Sequence, residues 1–303
     1  MTGAPQPSVR PSAPPKATKP QRSLASIRRR IIFSTAGRDG TFLEIGPSHY
    51  PTLPKRDGFP TKTADHASLE GLHAKYDGFE NVDVSAIEEV DFVLTPGKPL
   101  SACVEGRYDV VVAAHVLEHT TSLIDFVNDC AQLLTPTGTL ALFVPDHRYC
   151  FDRFRERSSL ASVIDAATTE SGVHSVGVMT EAALYAAWRG RTIAWTRGTD
   201  GAYEWIYTTE QARQYAAEFD PDIYADTHHW VFTPNHLRLL LHDLAELGHI
   251  SLRETGFRES VGGCEFFIGL GPAGPGPALS RTALLLRSDA DRRGLDEPEF
   301  ELA

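Results

Sequence analysis

The sequence is poor in cysteine, has no long apolar run and lacks the full glycine motif of a dinucleotide site. Its four cysteines, Cys103, Cys130, Cys150 and Cys264, are scattered and form no CxxC pair. That excludes a cysteine zinc framework and suggests buried thiols in a reducing, cytoplasmic compartment rather than disulfides. No stretch approaches the roughly 20 apolar residues that span a bilayer. No apolar h-region follows Met1, so neither a membrane span nor secretion is expected. Acid is missing from residues 1–30, which hold seven Lys or Arg, and six prolines crowd the first twenty. Taking those seven charges from the net −11 leaves −18 on the remainder. A body so acidic argues against nucleic acid as the main partner. The prolines exclude an amphipathic targeting helix, and residues 1–22 read as a disordered basic tail.

What is present is a regular series of apolar runs. "TFLEIG" (41–46), "KTADH" (62–66), "VDFVL" (90–94), "YDVVVAA" (108–114) and "TLALFVP" (139–145) each read as a strand. Near-continuous Val, Ile and Leu runs mark strands buried on both faces, as in a parallel sheet. Between the last two, Leu123, Phe126, Val127, Cys130, Leu133 and Leu134 follow helical spacing, ended by Pro136 and Gly138. Strand–helix–strand alternation predicts a doubly wound α/β sheet, mostly parallel, over residues 23–146, with a short helix from Ser23 to Ala36. Residues 147–230 break the pattern. They are rich in Arg, Trp, Tyr and His, with helical stretches near 158–168, 180–188 and 208–218, and read as an inserted cap. Residues 231–271 return to the core with a helix (233–248) and two strands, "HISLRETGF" and "CEFFIGLG". Residues 272–303 read as a loosely ordered tail.

The stretch "LEIGPSHYPTLPK" (43–55) sets the ligand class. In an open parallel sheet, ligands sit outside the carboxyl ends of the strands at the switch point. Gly46 ends the first strand there, and Asp65, nineteen residues on, ends the second, where a carboxylate accepts both hydroxyls of a ribose. A pyrophosphate site needs GxGxxG feeding a helix N-terminus. Only one of those glycines exists, and Pro47, Pro51 and Pro54 oppose a full helix before the second strand. The expected ligand is a nucleoside without pyrophosphate.

"LEIGPSHYP", "TADHAS", "YDVVVAAHVLEHT" and "LLTPTGTLALFVPD", in this order and spacing, resemble class I S-adenosylmethionine-dependent methyltransferases. They are most similar to the type-11/type-23 group often found beside glycan-modifying enzymes. The resemblance covers residues 41–146 strongly and 228–270 moderately, with "RYCFDRFR" between them. It implies a seven-stranded Rossmann-like methyltransferase sheet and S-adenosyl-L-methionine as cofactor. Glu44, Gly46 and Pro47 then match the first motif, whose backbone faces the methionine part. Asp65 matches the ribose-binding acid, His66 follows beside the adenine edge, and His115 holds a backbone contact to the cofactor. The acid that usually contacts adenine after the third strand is assigned neither to Asp91 nor to Thr95.

On the acceptor side, Asp146 and His119 are the candidate bases, with His119 sharing a face with His115 and Glu118 pointing elsewhere. Arg148, Tyr149, His228 and His229 are candidate acceptor contacts, while Arg153, Arg155 and Arg157 read as a solvated basic face. "DTHHW" (226–230) gathers two histidines and an acid. Adjacent histidines in a strand point to opposite faces, so no metal site is expected from that segment. The expected acceptor is a glycan or other small polar metabolite methylated on oxygen. The alternatives are N-methylation of a small molecule, or a ligand-binding protein that kept the fold without turnover. A nicotinamide dehydrogenase fits less well, without GxGxxG or a Tyr-x-x-x-Lys pair. The oligomeric state is not legible.

Overall fold

The structure, a computed structural model, describes residues 24–294 apart from 80–81, 96, 170–171, 221–223 and 261–262. The basic tail (1–22) and Ser23, where the first helix is expected to begin, lie outside the described residues. The strands of the core are β1 (Phe42–Ile45), β2 (Thr61–Asp65), β3 (Phe92–Val93), β4 (Tyr108–Ala114) and β5 (Leu134–Pro145). The insertion adds β6 (Ala187–Arg189) and β7 (Tyr203–Trp205), and β8 (Arg253–Arg258) and β9 (Glu265–Gly271) follow it. The helices are α1 (Leu24–Ala36), α2 (Leu69–Tyr76), α3 (Leu100–Cys103), α4 (Leu123–Leu133), α5 (Leu160–Thr168), α6 (Val176–Tyr185), α7 (Thr209–Ala217), α8 (Pro234–Glu246) and α9 (Arg281–Arg293).

Seven strands form one sheet in the order β3-β2-β1-β4-β5-β9-β8. The pairs from β3 through β5 are parallel, and β9 runs antiparallel to both of its neighbours. This is the mostly parallel, doubly wound seven-stranded sheet expected from the sequence. The switch point falls between β1 and β4, because the chain leaves β1 toward β2 and returns to β1's other side with β4.

Side chains alternate across the sheet, as the two-residue strand period requires. Val111, Ala113, Leu140 and Leu142 face one layer, where Leu123, Phe126 and Val127 of α4 and Leu237, Leu240 and Leu244 of α8 cover them. Val110, Val112, Ala141 and Phe143 face the other, against Ile32 of α1 and Leu53 of the proline loop. Arg28 fixes α1 by donating from Nε and Nη2 to the Glu265 carboxylate of β9 (3.0 and 2.6 Å), with both side chains buried.

Two parts of the chain depart from expectation. The tail after 272 is not loose as far as Gly294. Ser280 caps α9, Leu284 is fully buried, and Asp291 accepts the Asn235 amide at the start of α8. Its Pro/Gly-rich lead-in (271–277) hid an amphipathic helix with few apolar residues. In the insertion, helix α6 ends at Tyr185, and 187–189 pairs as a strand with Tyr203–Trp205.

Candidate functional site

The candidate cofactor residues lie at the ends of β1 and β2. Gly46 turns the chain with φ +62°, a left-handed value that favours glycine, and a Cβ there would lie 3.1 Å from Val116 Cγ2. Ser48 (φ +45°) and His115 (φ +55°) are also left-handed, a strained state that for non-glycine residues concentrates at ligand sites. Glu44 is fully buried, and its carboxylate accepts the amides of Thr52 (2.6 Å) and Leu53 (3.0 Å). Burial pushes its pKa up against those two hydrogen bonds. Glu44 thus shapes the loop with its side chain, a role its place in the motif did not disclose. Between β1 and β2 the only helical element is one 3-10 turn, Lys55–Asp57.

Asp65 ends β2 and is buried. Its Oδ2 accepts the Ser48 amide (3.1 Å), and its Oδ1 accepts the His66 amide (2.8 Å) and lies 2.6 Å from His66 Nδ1. The two strand ends are thereby tied at the crevice. Asp91 is used differently. It takes Lys55, Lys62 and the Thr63 amide at the other end of β3, and these hydrogen bonds and charges overcome burial to hold its carboxyl at about 2. Thr95 follows β3 and is exposed.

The candidate acceptor-side residues gather around the 3-10 turn Leu117–His119 after β4. The Glu118 carbonyl accepts the amides of His229 (2.7 Å) and Trp230 (3.1 Å), drawing residues 228–230 onto the turn. His119 and His228 then meet edge to face, with ring centroids 4.6 Å apart. His119 Nδ1 lies 2.9 Å from Asp226 Oδ1, and His228 Nδ1 lies 2.5 Å from Asp152 Oδ2. Burial disfavours the His119 imidazolium, but Asp226 and Glu118 outweigh it and raise its pKa. The hydrogen bond from His119 holds Asp226 well below the carboxylate range. Burial also opposes the charge of Asp152, yet His228 and Arg155 hold it at about 2. Lys75 bridges the two sides, with Nζ 3.2 Å from His66 Nε2 and 3.4 Å from Asp226 Oδ2.

Several sequence expectations are corrected here. Glu118 does not point elsewhere: it is buried, with Oε1 3.5 Å from His115 Nδ1 and 3.9 Å from His228 Nε2. Asp146 and Arg148 are bound to each other by a two-pronged ion pair. Ser260 also donates to Asp146 (2.7 Å), and Asp291 takes the far side of the guanidinium (3.0 Å). Tyr149 lies beneath that guanidinium, 5.5 Å from ring centroid to Cζ. Arg155 is no solvated cation either: it is buried among Asp152, Glu181 and the His228 carbonyl. Ser260, Asp291 and His228 reach these groups from segments far apart in sequence, which local pattern does not disclose. His228 and His229 do part company, although no strand forms there. His229 Nδ1 lies 3.1 Å from His174 Nδ1, and burial lowers both rings to about 4, a neutral pair. His115 is half-buried, with Nε2 2.8 Å from Glu265 Oε2. All four cysteines are free, two buried and two partly so. A shallow cavity of about 480 Å³ lies elsewhere, beside α1, where Arg29, Arg30, Arg38 and Phe59 line it.

No protein-family model matches the chain, and no curated protein matches it. Solved structures give partial likenesses. The CcbJ methyltransferase from Streptomyces caelestis is 22% identical over 40% of this chain and 49% of its own, with a TM-score of 0.28. The chain thus spans roughly half the length of that protein. An S-adenosylmethionine-dependent methyltransferase from Clostridium acetobutylicum ATCC 824 is 8% identical over 82% and 91%, with a TM-score of 0.42. A protein from Rhodobacter sphaeroides assigned to the zinc-dependent alcohol dehydrogenases is 11% identical over 84% and 90%, with a TM-score of 0.45. Methyltransferases recur among these likenesses. At these identities and TM-scores no activity passes from them to this chain.

Proposed function

We propose that the chain is an S-adenosylmethionine-dependent methyltransferase acting on a hydroxyl of a glycan or another small polar metabolite. The observation that carries this reading is the path from β1 to β2. A dinucleotide site puts a helix N-terminus there to hold pyrophosphate. This chain instead has a left-handed Gly46, a proline loop pinned by Glu44 and one short 3-10 turn. Asp65 stands beside it, where a carboxylate takes ribose hydroxyls. Such a crevice suits a nucleoside joined to an amino-acid chain through sulfur. In it, Gly46 and Pro47 meet the methionine part by backbone, Asp65 the ribose, His66 the adenine edge and His115 the cofactor by backbone.

Methyl transfer moves a carbon in line from sulfonium to oxygen, leaving S-adenosylhomocysteine, while the hydroxyl proton departs. Positioning supplies most of the rate, and a nearby base or cation assists the proton's loss. With Asp146 engaged by Arg148, the acceptor-side groups are His119, held by Asp226, and His228 and His229 of the inserted segment. Residues 147–230 form the cap over this end of the sheet. Phe154, Tyr203 and Trp205 stand exposed together on it, with ring centroids 5.0 and 5.3 Å from Phe154. An exposed aromatic cluster suits stacking on a sugar ring. The test is incubation with methyl-labelled S-adenosylmethionine and a panel of glycans and small polar metabolites. Label should pass to an acceptor with the native chain, and far less with His229→Ala at unchanged S-adenosylhomocysteine affinity. Label appearing only on amines would replace the hydroxyl with a nitrogen acceptor.

A further inference from the structure

Glu118 is a buried acid, 1% exposed, and neither of its carboxylate oxygens has a hydrogen-bond partner among the described residues. An isolated buried carboxylate is costly, so a group of opposite charge belongs beside it. Its neighbours are imidazoles rather than arginine or lysine. One ligand atom from each of Glu118, His119 and His228 lies within 4.8 Å of the others, and His115 Nδ1 is 3.5 Å from the same Glu118 oxygen.

The three imidazoles share one arrangement. His228 is hydrogen-bonded at Nδ1 to Asp152 and His115 at Nε2 to Glu265, and the Asp226 carboxylate lies 2.9 Å from His119 Nδ1. A carboxylate on one ring nitrogen fixes the tautomer and turns the other nitrogen's lone pair toward a cation, as is usual for metal-bound histidines. The free positions are then Nε2 of His119 and His228 and Nδ1 of His115. Tetrahedral edges built on bonds of about 2.1 Å are roughly 3.4 Å long. The 3.9 Å between Glu118 Oε1 and His228 Nε2 needs to close by only about half an ångström. Three imidazole nitrogens and one carboxylate make up the tetrahedral donor set of a borderline divalent ion such as zinc.

We propose that Glu118, His119 and His228 form a divalent metal site, with His115 as a further ligand, at the acceptor side of the crevice. The no-metal expectation was drawn from residues 226–230 alone. The ligand set instead joins His228 to a turn more than a hundred residues earlier. Metal binding itself does not depend on the methyl-transfer reading.

The test uses the full chain, dialysed against a chelator and titrated with zinc alone by calorimetry. One equivalent should bind. Glu118→Gln and His228→Ala should each weaken it at least about 100-fold, and Asp152→Asn roughly 10- to 100-fold. His73→Ala, an exposed control on α2, should leave it unchanged. Zinc should also raise the Tm of the native chain but not of Glu118→Gln, which is nearly isosteric. No zinc binding by the native chain overturns the site, as does binding that survives Glu118→Gln or His228→Ala. If one of those two variants does not fold, the other decides. S-adenosylhomocysteine is titrated separately into the zinc-free chain, so failure of either reading leaves the other measurable.

Discussion

At the scale of single residues, the carboxylates divide into those tying strands together and those shaping the site. Asp65→Ala should weaken S-adenosylhomocysteine binding by about 1.5–3 kcal/mol, because charge-assisted bonds to ribose are lost. Calorimetry on the folded variant checks this, and unchanged affinity would move the cofactor elsewhere. Asp146→Ala should behave otherwise. It strips a buried, hydrogen-bonded partner from Arg148 and Ser260, so it should cost about 3–5 kcal/mol in urea denaturation. A variant that kept full stability but lost turnover would instead restore Asp146 as a base. The places of Gly46 and Asp65 at strand ends were legible in the sequence, because the apolar runs mark where β1 and β2 stop. Asp146, Arg148 and Glu118 were not, since what they do depends on Asp291, Ser260 and His228, which only the fold brings near.

At the scale of elements, the strands and α8 were readable because burial on both faces and helical spacing leave a periodic trace. Helix α9 was missed: its buried face is small and follows a proline–glycine segment. It still matters to the core. Leu284→Ala should cost about 2–4 kcal/mol in chemical denaturation, the usual range for a fully buried leucine. If that change proved neutral, α9 would not be docked on α8 in solution. Helix α1 makes a pH-dependent contribution. Burial disfavours the Glu265 charge, but His115 and Arg28 overcome it and hold the carboxyl at about 2. A folded-state pKa below the unfolded value of about 4.3 stabilises the fold above that pH. The contribution, on the order of 3 kcal/mol, is lost as pH falls from about 4.3 to 2. Urea midpoints between pH 7 and 3 should therefore fall more steeply for the native chain than for Glu265→Gln. Parallel curves would show that the Arg28–Glu265 pair adds nothing.

At the scale of the whole molecule, the topological switch point and the inserted segment meet at one end of the sheet. A chain of polar contacts runs between them: Asp65 to His66, His66 to Lys75, Lys75 to Asp226, and Asp226 to His119. The sequence located the first half of that chain through its motifs. The second half comes from an insertion with no regular pattern, so its side-chain pairings were out of reach. The central claim is that the crevice takes an adenosyl ligand without pyrophosphate. Calorimetry of the purified chain with S-adenosylhomocysteine and with NAD tests it most directly. The account predicts micromolar binding of S-adenosylhomocysteine and NAD binding no tighter than millimolar. Tight NAD binding with no response to S-adenosylhomocysteine would contradict it.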